Sequence, residues 1–269
     1  MKRREFLKMS LAGGTVALFD AQSFAAALAA DGRAKTLVVG GGAFALGYAL
    51  AHREDALVLE RGIHLAADFA CTCGPQKLGT PKTSLGRELR DGLASCGILN
   101  GEHLELPPLA DYMGAFFADH GGRAFMNAEP AEIEKVAHGY RLAIYGGGAN
   151  GLSSFTVGNV LDATDVGFGN VGEEALAGKR FGGIGPGGPF SVDLPPDADW
   201  HAARLCLYDA WEKAGHRPDE LLAEANALRC IYRTGRISRR VKDGWRWVPS
   251  AQFTTLMEAF EEGLAWKFA

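Results

Sequence analysis

Residues 36–62, TLVVGGGAFALGYALAHREDALVLERG, constrain this chain more than any other stretch. The apolar run 36–39, entering Gly40, predicts a buried strand. Gly40-Gly41-Gly42 predicts a tight turn. Residues 43–53 carry Ala and Leu at helical spacing, and the run 56–59 predicts a second buried strand ending on Glu60. Two continuous apolar strands around a short helix point to a parallel sheet with both faces covered, hence an α/β fold. A turn free of side chains also leaves the first amides of the helix open to a negative charge.

Strand, glycine turn, helix and a strand with a terminal acid make up the dinucleotide-binding βαβ unit. Residues 40–45 read G-x-G-x-x-A. Gly40 permits the turn, and Gly42 lets a pyrophosphate approach the backbone. Ala45 at the third position still allows helix and strand to pack closely. Glu60 stands where an acceptor for ribose hydroxyls is expected.

With 269 residues, 47% hydrophobic and 22% charged, the chain can build one large domain or two small ones. A net charge of −4 argues against a nucleic-acid partner. Lys2-Arg3-Arg4-Glu5-Phe6-Leu7-Lys8 resembles a twin-arginine export signal, with Lys2 where Ser or Thr is usual. An apolar segment, 9–19, is short for a stable membrane span. Ala27-Leu28-Ala29 offers a cleavage site. The expectation is a signal peptide over 1–29, a periplasmic destination, and the twin-arginine translocation machinery as a partner. The alternative is an amphipathic N-terminal helix with a basic start. The twin-arginine route, as the resemblance implies, carries folded passengers. A cofactor held through export shifts the expectation from NAD towards tightly bound FAD.

Residues 63–81 read as a Gly- and Pro-punctuated loop. Leu85, Leu89, Leu93 and Cys96 form an apolar stripe that predicts a helix over 83–99. Leu109, Met113 and Phe116 predict another over 109–120, with a short strand at 104–106 between them and one at 123–126 after them. Three short strands at 132–137, 140–145 and 152–156 are separated by turn residues. Asn159-Val160-Leu161-Asp162-Ala163-Thr164-Asp165 follows as a further buried strand. A meander followed by a strand ending in Ala-Thr is the second signature of two-dinucleotide-fold flavoproteins. With both signatures, residues 35–169 resemble the FAD-dependent oxidoreductase family.

That resemblance implies a Rossmann-like FAD/NAD(P)-binding domain over 30–170, with a helical insertion at about 63–122 and a β-meander at about 131–156. It implies an oxidoreductase passing hydride or electrons from a small organic substrate to bound flavin. Position by position, Gly40, Gly42, Ala43 and Phe44 would line the pyrophosphate. Glu60 and Arg61 would hold the ribose, the segment around Pro130 would face adenine, and Ala163 and Thr164 would close over the phosphates. The returning loop would bring His64, Asp68, Cys71 and Thr72 near the ring. Asp165 stands where the family has Gly, and Pro130 has no amide to donate.

Residues 171–269 are expected to form a substrate-side or domain-completing region. The Gly-rich 178–189 reads as a loop, 190–194 as a strand, and 199–214 as a helix with Ala203, Leu207 and Trp211 on one face. A second helix is predicted over 219–229. Five arginines in 229–240 read as a solvated strand pair or as a pocket for an anionic substrate. Trp245-Arg246-Trp247 alternates, and 251–268 predicts a closing amphipathic helix. The family's Gly-Asp element, with its strand and helix at the flavin end, is not found after residue 200, so the C-terminal part reads as incomplete. Three readings follow: an exported FAD-dependent oxidoreductase; a non-catalytic or partner-dependent subunit whose flavin site a partner subunit completes; or a binding protein that keeps only the fold. No metal site is expected, because Cys71-Thr72-Cys73 lacks a further Cys or His pair. The cysteines read as unpaired or structural, with flavin attachment the alternative. Of the seven histidines, only His64 has a position suggesting the cavity, which makes it the candidate base.

Overall fold

The computed structural model describes residues 35–71, 77–146, 152–186, 188–220, 223–225 and 228–268. The export-signal expectation over 1–29, and with it Thr72 and Cys73, lies outside the described residues. Strand β1 (Thr36–Val39) runs through the middle of a six-stranded sheet. It pairs in parallel with β2 (Ala56–Glu60) on one side and β9 (Asn159–Asp162) on the other. The chain thus leaves β1 towards β2 and returns on the opposite flank, so the switch point of the sheet lies at Gly40. Beyond β2 lies β5 (Ala124–Met126), and beyond β9 lie β15 (Trp245–Trp247) and then β14 (Arg239–Lys242). Only β14 runs antiparallel to its neighbour.

Alternation sorts the central strands between two cores. Val38, Val58 and Leu161 face the helices, while Leu37, Val39, Leu57, Leu59 and Val160 face the meander. The meander is β6 (Ala128–Val136), β7 (Gly139–Gly146) and β8 (Leu152–Val157). On the other face, helix α1 (Ala43–Ala51) is buried from Ala43 through Leu50. It packs against the last helix, α6 (Leu256–Ala265). A Cβ at Gly47 would overlap the Phe260 carbonyl oxygen, and one at Gly263 would overlap that of Phe44. The two helices therefore meet backbone to backbone through a reciprocal pair of glycines. Helix α2 (Ala67–Ala70), α3 (Ser84–Ser95) and α4 (Leu106–Asp119) complete this layer, with a two-stranded ribbon, β3 (Leu99–Asn100) and β4 (His103–Leu104), between α3 and α4.

A separate small core lies under β10 (Leu176–Gly185), β11 (Gly188–Leu194), β12 (Ala223–Glu224), β13 (Arg229–Tyr232) and α5 (Trp200–Lys213). Two sequence expectations change here. The Gly-rich 178–189 is no loop: β10 and β11 form a long antiparallel hairpin. Its glycines admit close neighbours, since a Cβ at Gly178 would lie 2.7 Å from the Leu194 oxygen and one at Gly185 would enter the Trp211 ring. The helix predicted over 219–229 is a short 3₁₀ turn at Pro218–Glu220 followed by β12 and β13, because edge pairing with β10 overrides the local Leu and Ala spacing. The chain carries no Gly-Asp dipeptide after residue 200; a parallel strand beside β9, β15, and the closing helix α6 do follow there. The alternating Trp245-Arg246-Trp247 is β15, and its parallel place beside β9 is a tertiary fact.

Candidate functional site

A cavity of about 430 Å³ opens where β1, β2 and β9 end, a size ordinary for a ligand pocket. Its floor is Gly40–Gly42. Gly40 has φ +93°, and a Cβ there would press on the backbone of Ala163 and Thr164 at 3.3 Å. Asp162 is fully buried and explains the shape of the next turn: it accepts from the Thr164 amide at 3.1 Å, the Thr164 hydroxyl at 2.6 Å and the Phe168 amide at 2.5 Å. Burial pushes its carboxyl up, and these donors oppose that shift. The Ala163 amide donates to Val39, and the Ser250 amide to Ala163, at 2.7 and 3.1 Å.

Of the expected site residues, Gly40, Gly42, Glu60, Arg61, Pro130, Ala163 and Thr164 line this one cavity. Glu60 accepts from the Gly41 amide and the Gly62 amide, each at 2.5 Å. Each carboxylate oxygen keeps a further acceptor site for a hydroxyl. Pro130 sits at an irregularity in the β6–β7 ladder, where a missing amide costs least. Ala43 and Phe44 do not line the cavity; their side chains are buried and only their amides turn towards the end of α1. Phe44 stacks on Phe253, with ring centroids 5.5 Å apart. His64 is half-buried and does not line the cavity, nor does Cys71. Asp68 does.

The end of α1 is where a diphosphate is expected, and side chains of this chain already stand there. Asp68 accepts from the Ala43 amide with both oxygens at 3.2 Å. Ser250 Oγ accepts from the Phe44 amide at 3.1 Å and donates to Asp68 Oδ2 at 2.6 Å. A Cβ at Gly42 would lie 2.5 Å from Ser250 Cβ and 2.9 Å from Asp68 Oδ2. Burial pushes the Asp68 carboxyl up, while Ser250, the Ala43 amide and the Arg229 charge pull it down. Arg229, from β13, also lines the cavity and donates to the Phe253 carbonyl at 3.1 Å. Asp165 faces inwards too. Burial, and then the Asp68 charge, push its carboxyl up to about 7. Cys230 beside it is pushed up to about 12 by burial, and Tyr232 donates to the Asp165 carbonyl at 2.9 Å. Ser250 was invisible in the sequence, because it meets Phe44 across 206 positions. Arg229 was visible only as part of a basic run. The other four arginines of that run bind elsewhere: Arg233 to the Leu176 carbonyl, Arg236 to Glu258 and Glu262, Arg239 to Glu174, and Arg240 to Asp243.

The fit to FAD divides along this cavity. Where an adenosine would lie the cavity is a formed recess, with Glu60 placed to accept from ribose hydroxyls, while at Gly42 the side chains of Ser250 and Asp68 stand against the bare Cα. At the diphosphate end the shape fits as well, but the Ala43 and Phe44 amides are engaged by Asp68 and Ser250. No cluster of metal-ligating side chains occurs among the described residues, and no helix among them is long and apolar enough to cross a membrane.

No protein-family profile matches the sequence, and no curated protein matches it. Solved structures do. A glycerol-3-phosphate dehydrogenase from Bacillus halodurans complexed with FAD superposes with a TM-score of 0.58 at 11% identity, over 92% of this chain and 67% of that one. A glycine oxidase from Geobacillus kaustophilus gives 0.50 at 13%, over 86% and 93%. The anhydrotetracycline hydroxylase OxyS from Streptomyces rimosus gives 0.54 at 12%, over 86% of this chain and 60% of its own length. At such identities the likeness is one of fold: this chain has the Rossmann-like, FAD-binding flavoprotein fold, in a shorter form than the dehydrogenase or the hydroxylase.

Proposed function

We propose that this chain is an FAD-dependent oxidoreductase acting on a small organic substrate. One observation carries the reading: the glycine turn, Glu60 and the Ala163–Thr164 turn converge on one cavity at the switch point of a flavoprotein-type sheet. Glu60 would accept from the ribose hydroxyls, and Ala128 to Pro130 would flank the adenine. Gly42 and the amides of α1 would face the diphosphate. When bound, flavin supplies the hydride and electron chemistry. Around it, the β10–β13 sheet supplies Leu228 and Arg229 as a wall that keeps water out and offers a positive charge to an anionic group. With its carboxyl near 7, Asp165 is partly protonated at neutral pH and opposes a diphosphate less than an ordinary aspartate would.

Export through the twin-arginine route, with FAD loaded before passage, belongs to the same proposal and rests on residues 2–8 and 27–29. A second reading, a subunit that needs a partner chain for turnover, rests on the lack of a Gly-Asp dipeptide after residue 200. The test is the absorption spectrum of the purified chain with added FAD, before and after denaturation. The expected result is a bound flavin that is released on denaturation, weaker retention in Glu60→Ala, and none in Gly42→Val. A chain that stays colourless with added FAD would end the flavin reading. Turnover by the isolated chain would end the need for a partner.

A further inference from the structure

We infer that Asp68 and Ser250 are a built-in occupant of the diphosphate cradle, which must leave before a dinucleotide can seat. The inference rests on the cofactor reading above and adds a regulatory contact to it. The first free amides of α1 attract an anion, and here the anion is the chain's own carboxylate. Asp68 takes the Ala43 amide, and Ser250 takes the Phe44 amide and ties itself to Asp68 at 2.6 Å. Both side chains lie against the bare Cα of Gly42, the surface that the turn keeps clear.

Two features make the contact displaceable. Asp68 stands on the wall of an open cavity rather than in a closed core. Arg229 lines the same cavity, and its positive charge favours the ionised Asp68. Asp68 also sits on a four-residue turn of helix preceded by Ala66 at φ +54°, a left-handed conformation uncommon for alanine. That turn is held by the Ala66 amide on the Gly41 carbonyl, at 2.7 Å. The loop carrying the plug is therefore fastened to the glycine turn it obstructs. A dinucleotide that pushes Asp68 aside acts on both at once. The competition taxes affinity in proportion to the fraction of molecules with the cradle free.

The test is the binding of FAD to the purified full chain, by fluorescence quenching, for the wild type, Asp68→Ala, Asp68→Asn and Ser250→Ala. Amide hydrogen exchange at Ala43 and Phe44 without ligand is the second readout. One charge-assisted hydrogen bond removed from the competing side predicts an affinity gain on the order of tenfold in Asp68→Ala. Asp68→Asn should gain less, and exchange at Ala43 should quicken in Asp68→Ala. Circular dichroism checks that each variant is folded, and Ser250→Ala keeps the question open to measurement should Asp68→Ala fail to fold. FAD bound equally by the wild type and the folded variants would overturn the inference and leave the cofactor reading intact. Weaker binding by the variants would make Asp68 a cofactor ligand instead and overturn it too. No FAD bound by any of them, with exchange at Ala43 quickened, would overturn both.

Discussion

Glu261 and Asp68 each reach across from a distant part of the chain to a helix N-terminus, and they do so in different surroundings. Glu261, on α6, accepts from the Lys82 amide at 2.7 Å, the Thr83 amide at 2.9 Å and the Thr83 hydroxyl at 3.2 Å, just ahead of α3. It is 6% exposed, and a Cβ at Gly86 would overlap it. Asp68 serves α1 in the same way but borders a cavity. The chemistry of the cap is shared; access is not. A cap sealed in the core can only be structural, whereas a cap on a cavity wall can be exchanged for a ligand. The predictions below separate the two.

The largest effect removes the element on which both depend. Helix α6 brings Glu261 to α3, and its start follows directly on the turn that carries Ser250. Gly263→Val would drive a side chain into the Phe44 carbonyl, since even a Cβ at this position would overlap its oxygen and lie 2.8 Å from the Tyr48 nitrogen. Overpacking of backbone against backbone should cost on the order of 4 kcal/mol. The expected outcome is a chain that is largely unfolded or melts far lower, read by thermal denaturation. A variant with an unchanged melting temperature would mean that α1 and α6 do not pack as described.

Glu261→Ala comes next. It strips three donors of a buried acceptor, and should cost about 2 kcal/mol in urea denaturation. A loss below a few tenths would remove the contrast between the two caps.

How much of this was legible follows the same division between local and distant. Gly40, Gly42 and Glu60 were readable because strand, turn, helix and strand are consecutive, and each position has a local geometric reason. Thr83 could have been read as a cap from its place ahead of the Leu85–Leu89–Leu93 stripe, and it does accept from the Gly86 amide at 2.9 Å. The β11 strand was legible as well, since Phe190, Val192 and Leu194 alternate with Ser191 and Asp193. Its partner β10 was not, because glycines selected for close approach look in sequence like those of a loop. Nor could any local pattern give Ser250 or Glu261, which act on residues 206 and 178 positions away. Asp165 was legible as a departure from the family's glycine, but not its inward direction.

That inward direction has a consequence for pH. The Asp165 carboxyl ionises near 3.8 when the chain is unfolded and is pushed up to about 7 in the fold. Between those values the folded chain binds the extra proton, so stability falls as pH rises through that window. The contribution is fully present below about 4 and lost above about 7. Asp68 is shifted in the same direction and adds to the slope. Urea denaturation at about pH 5 and about pH 8 should show the wild type more stable at the lower value, relative to Asp165→Asn, whose slope is flatter. Parallel slopes would place Asp165 in solvent.

The smallest expected effect is the most discriminating. Asp68→Ala also strips a carboxylate from a helix N-terminus, yet it should change stability by less than about 1 kcal/mol. Two terms oppose each other. The Ala43 amide loses its acceptor, but the cavity lets water reach it, and the fold is relieved of an acid whose ionised form burial disfavours. The Glu261 carboxylate, 6% exposed, borders no such cavity. A loss in Asp68→Ala as large as that in Glu261→Ala would show the α1 cap to be structural after all, and a carboxylate that the fold cannot spare would make a poor plug for a ligand site.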